Sequence, residues 1–161
     1  MDFRPGPPKY YRGSTTSDVA VRFLGRDSAG NADLQLNVRV PETPDDDPNA
    51  TDRQLNAIAA FFPHIPSTIS FGQAHALLCY RDYAQAVVDR VLPEQNGESR
   101  KMWIAVIATL VSHDDRVAKD VCSWSDDRFR RARLDSTVIR TKHFNDLMIV
   151  CRDLAKDMDL L

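Results

Sequence analysis

Val19-Ala-Val-Arg-Phe-Leu-Gly25 and Leu34-Gln-Leu-Asn-Val-Arg-Val40 carry apolar residues at every second position, and after Thr51 that period gives way to helical spacing. Side chains alternate across a strand. Val19, Val21 and Phe23 therefore share one face, as do Leu34, Leu36, Val38 and Val40, with Gln35, Asn37 and Arg39 opposite. Gly25-Arg-Asp-Ser-Ala-Gly-Asn31 between them has the composition of a turn. The pattern predicts a β-hairpin over 18–41, preceded by a flexible arm (1–17) that carries Pro5, Pro7, Pro8, Tyr10 and Tyr11. An acidic, Pro-rich linker (42–50) follows, and then a helical domain over 51–161.

The helices are marked by caps and breakers. Thr51 or Asp52 can start one that runs to Phe62, where Pro63 and Pro66 stop it. Ser70-Phe-Gly-Gln73 has the form of a capping box, in which serine and glutamine side chains satisfy the free N–H groups of a first turn. Phe71, Ala74, Leu77, Leu78, Ala84, Val87, Val88 and Val91 then recur at three and four, up to Pro93. Glu98–Val111 is apolar nearly all round, as a central helix is. Ser112 opens a segment with Val117, Val121 and Trp124 on one face. A last helix over 137–159 aligns Phe144, Leu147, Met148, Cys151, Leu154 and Met158. The expected fold is α+β and predominantly α, an N-terminal hairpin before a five-helix bundle.

Composition narrows the function classes. A chain of 161 residues suffices for one domain, which removes about 70% of its unfolded surface from water. The net charge of −2 gives no global attraction to nucleic acid or anionic membrane. The longest apolar run, Met102–Val111, is half the ~20 residues that span a bilayer. No signal-peptide core is seen at the start. Cys79, Cys122 and Cys151 are odd in number and lack ligand spacing, so they read as small hydrophobes in a reducing cytoplasm.

Three constellations bear on chemistry. His113-Asp114 ends an apolar helix; with His75 before it and Asp146 after it, the order His…His-Asp…Asp resembles the HD-domain metal phosphohydrolases. That resemblance implies a divalent metal held by these four residues, activating water for phosphoester cleavage. The family continues His-Asp-Ile-Gly-Lys, whereas Asp115-Arg116-Val117 follows here. Carboxylates at 114 and 115 after Ser112 also suit a helix N-terminus, and His113 and Asp114 are expected to serve that helix start rather than a metal. Ile69-Ser-Phe-Gly-Gln-Ala-His-Ala-Leu-Leu78 is similar to a stretch that follows the helix-turn-helix of ParB-type partition proteins, with Gln73 and His75 in place of that family's His and Arg. The segment before it offers one short helix where a DNA reader has two. Arg128, Arg130, Arg131, Arg133, Arg140 and Lys142 against Asp135 give +5 over 128–142, a patch for an acidic protein or nucleic acid, or a solvated face.

No Gly-rich phosphate loop, nucleophile elbow or H-E-x-x-H is present. The expected function is thus a non-enzymatic interaction or regulatory module without a cofactor. It would form a homodimer, or bind another protein, through Val19, Val21, Phe23, Leu34, Leu36 and Val38, because two strands alone leave edges and an apolar face to cover. A metal phosphohydrolase and a nucleic-acid-binding regulator are the alternatives.

Overall fold

The computed structural model describes residues 20–26, 28–30, 32–62, 64–116 and 142–159. Two short strands, β1 (Val21–Arg26) and β2 (Ala32–Leu36), precede four helices: α1 (Asp52–Ala59), α2 (Phe71–Val91), α3 (Gly97–Ser112) and α4 (Lys142–Asp159). The fold is predominantly helical. Five helices were expected, and four are present among the described residues. In the segment after Ser112 only Asp115 and Arg116 are described as helical; Val117, Val121 and Trp124 lie outside the described residues.

α3 is the axis of the molecule. Every residue from Trp103 to Ser112 is buried, because α2, α4 and the strands all pack around it. Its all-round apolar sequence is the chemical counterpart of that position. α2 covers one side with Leu77, Tyr80, Tyr83, Ala84, Val87 and Val88, and α4 adds Phe144, Leu147, Val150, Cys151 and Leu154. The Tyr83 and Phe144 rings meet edge to face at 5.3 Å between centroids, an arrangement favoured by their quadrupoles. α1 closes the core with Ile58, and Phe62 follows it. One α2 residue departs from its expected face: Phe71, in the first turn, is 45% exposed.

The capping box expected at Ser70 forms, and Thr51, one of two possible caps of α1, makes a second. Thr51 and Ser70 each accept the N–H of the residue three places on, and Gln54 and Gln73 reach back to the cap N–H. α3 begins differently. Asn96 makes no side-chain cap bond, and Gly97 enters at φ +55°, a conformation that glycine adopts without a steric penalty.

Residues 42–50, read from the sequence as a linker, form with Pro41 a strap across the start of α2. Gln73 Nε2 donates to the Pro41 carbonyl (2.9 Å), Gly72 N–H to Asp47 Oδ2 (2.9 Å) and Phe71 N–H to the Pro48 carbonyl (2.6 Å). Thr43 Oγ1 lies 2.8 Å from Ser70 Oγ, and Ala50 N–H reaches the Ile69 carbonyl at 3.1 Å. The physical reason is the helix terminus: free N–H groups and the positive end of the dipole attract carbonyl and carboxylate oxygens.

β1 and β2 pair antiparallel, with Val21 opposite Leu36 and Phe23 opposite Leu34. The register then shifts, so that Gly25 faces Asp33 and Leu24 is the extra residue of a bulge. The pair lies against α3.

Candidate functional site

Beside β2 runs an apolar groove of about 790 Å³. One wall is the strand and its continuation, with Leu34, Leu36, Val38 and Val40; the other is the loop after α1, with Phe61, Phe62, Ile65 and Pro66. Val21 is buried in the core, and Leu34, Leu36, Val38 and Val40 pack against the core half-buried. Of the residues expected at a partner surface, Val21 therefore serves the molecule's own interior, while Leu34, Leu36 and Val38 line the groove. Val19 lies outside the described residues, and Phe23 is placed by its backbone pairing with Leu34.

Among the described residues the strand is held on one edge only. Asn37 N–H donates to the Ala20 carbonyl at 2.9 Å, and His113 Nε2 donates to the Asn37 carbonyl at 2.7 Å. Arg39 N–H donates to Ser112 Oγ at 2.9 Å. The end of α3 thus takes over where β1 stops. Backbone groups on an extended chain point to alternate edges, and the bonds of Asn37 and Arg39 use one of them. The N–H and C=O groups of Leu34, Leu36 and Val38 face the other edge.

The residues of the metal alternative are dispersed. His113 caps the end of α3 and turns its ring to Asn37. Asp114, 3% exposed, accepts the Arg116 backbone N–H (2.9 Å) and the forked Arg116 guanidinium (2.7 and 3.0 Å). The same guanidinium reaches Asp146 on α4 at 2.8 Å. Asp114 and Asp146 are thus brought together through an arginine, and these two carboxylates raise the Arg116 pKa, Asp114 more strongly. His75 sits in the first turns of α2 with Nε2 3.6 Å from Cys79 Sγ, one turn on and fully buried. Among the described residues no three His, Cys, Asp or Glu side chains gather as metal ligands do.

The expectation that His113 and Asp114 both serve a helix start is corrected in one half. Asp114 has the cap bond of a helix beginning at Asp115, whereas His113 finishes α3 and fastens the strand. Of the basic patch, Lys142 opens α4 and is exposed; Arg128, Arg130, Arg131, Arg133 and Arg140 lie outside the described residues.

Two groups elsewhere are perturbed. The bond from Ser70, with those from Gly72 and Thr43, holds the Asp47 carboxyl below the ordinary carboxylate range. Burial pushes the Cys151 thiol up to about 12. Cys79 and Cys151 are free thiols, both buried.

Sequence reasoning did not single out Phe61, Ile65, Arg39 or Arg116. For Arg39 the signal was available: it stands opposite in charge to Asp33, and the two are equally far from Leu36. No helix among the described residues is long and apolar enough to cross a membrane. No family model, curated protein or solved structure matches this chain.

Proposed function

We propose that the protein is a non-enzymatic interaction module that acts by self-association through β2 and the groove beside it. The observation that carries this reading is an open strand edge next to an apolar groove, Leu34, Leu36 and Val38 belonging to both. Main-chain bonds give such an edge its affinity and pockets for alternate side chains give it selectivity, which is the chemistry of strand addition. A second copy is the favoured occupant. The net charge of −2 sets up little repulsion between copies, and the strand sequence is complementary to itself.

Sedimentation velocity of the full 18.2 kDa chain tests the reading. Twice the chain mass is expected at micromolar concentration. Val38→Pro is the diagnostic variant, because it removes an N–H on the open edge and leaves the bonds of Asn37 and Arg39 in place. It should yield a monomer with the helical signal retained. A wild-type chain that stays monomeric throughout the micromolar range overturns the proposal.

A further inference from the structure

We infer that two copies pair β2 to β2 antiparallel about a two-fold axis at Leu36, closing a four-stranded sheet with ion pairs between Asp33 and Arg39 of opposite copies; this rests on the self-association proposed above. An isologous contact requires one surface patch to be its own complement. With Leu36 opposite itself, Leu34 meets Val38, Ala32 meets Val40, Gln35 meets Asn37 and Asp33 meets Arg39. Every apolar residue then faces an apolar one, each amide faces an amide, and each carboxylate faces a guanidinium.

The backbone agrees with that register. Leu34, Leu36 and Val38 present their N–H and C=O groups on the edge that β1 and α3 leave open. Leu36 would bond its own copy, and Leu34 would bond Val38 on either side of the axis. Asp33 and Arg39 would then be non-hydrogen-bonded neighbours, the pairs whose side chains approach most closely. The face is right as well. Asp33 and Gln35 are exposed, and the Arg39 side chain is 40% exposed and approaches the exposed Asp115 at 3.4 Å. An exposed contact of that kind contributes little. On the opposite face, Phe61, Phe62 and Ile65 form the far wall of the groove that Leu34, Leu36 and Val38 line, an apolar surface for the incoming Leu/Val side chains.

The register is tested by charge reversal in the full chain, read by sedimentation equilibrium. Asp33→Arg and Arg39→Asp each place like charges across the axis twice, and each should weaken the dimer about tenfold or more. The double reversal restores both pairs with their senses exchanged, and should return affinity to within about threefold of wild type. Rescue is the decisive readout, since loss of the Arg39–Asp115 contact alone would persist in the double variant. Leu36→Cys in a Cys122→Ser background should also cross-link to itself on mild oxidation, because facing residues lie about 5.5 Å apart at Cα, within disulfide reach. A dimer insensitive to both reversals and not cross-linked at 36 overturns this register while leaving self-association standing. A chain that is monomeric at every micromolar concentration overturns both.

Discussion

Asp114 shows what a buried carboxylate requires. Almost no water reaches it, so its charge is met by one backbone N–H and two guanidinium bonds, all from Arg116. Arg116→Ala leaves that carboxylate with the backbone bond alone and should cost about 1–3 kcal/mol in denaturant unfolding. Asp146→Asn removes the outer, half-exposed partner and should cost under about 1 kcal/mol. The inequality between the two variants is the test. Cys151 supplies a pH signature. Its folded-state pKa, about 12, lies above the ~8.5 of an unfolded thiol. The folded chain therefore holds its proton longer, so this contribution is intact below pH ~8.5 and is lost as pH rises toward 12. Cys151→Ala should lose less stability than wild type between pH ~8.5 and ~11 in parallel urea titrations.

At the scale of elements, α3 and the strap over α2 carry distinct predictions. Ile107 is fully buried at the centre of α3, and Ile107→Ala should cost about 2–5 kcal/mol by denaturant unfolding. In the strap, a Cβ on Gly72 would stand 2.7 Å from Asp47 Oδ2, closer than the two atoms can rest. Gly72→Ala should displace that carboxylate and return its pKa to the ordinary range, as carbon-detected titration would show. In wild type the lowered Asp47 pKa favours the fold above the unfolded-state value of ~3.9. That contribution disappears as pH falls through the lower folded-state value.

These elements also mark how far the sequence could be read. The helix start at Thr51 or Asp52, the box at Ser70 and the all-apolar run of α3 were legible because they are local, set by neighbours three or four residues away. The strap was not: it looks like a linker, and its bonds join Pro41 to Gln73 and Asp47 to Gly72. Phe71 shared the core spacing of α2 yet is exposed, and nothing in its local sequence marks that. At the candidate site, Leu34, Leu36 and Val38 followed from alternation. The groove needed Phe61 and Ile65 from the far side of the acidic segment, a juxtaposition with no local signal.

For the molecule as a whole, the end of α3 completes a sheet that two strands begin. The closing bonds run from Asn37 to His113 and from Arg39 to Ser112, across separations of 76 and 73 residues. If copies associate through this sheet, unfolding is linked to concentration, and raising the protein tenfold should raise the melting temperature. In Val38→Pro the melting temperature should not depend on concentration.

Those long separations give the strand a history as well as a place. During synthesis Arg39 leaves the ribosome 73 residues ahead of Ser112, a wait of about 4–15 s at ordinary elongation rates. Throughout that interval the extended stretch has neither α3 to lean on nor a helix terminus to take its amides. Its nearest self-complementary partner is the same stretch on the next nascent chain of the same messenger. If copies pair through this edge as proposed, closing the sheet with a helix end made so much later lets that pairing start on the polysome, before either bundle is finished.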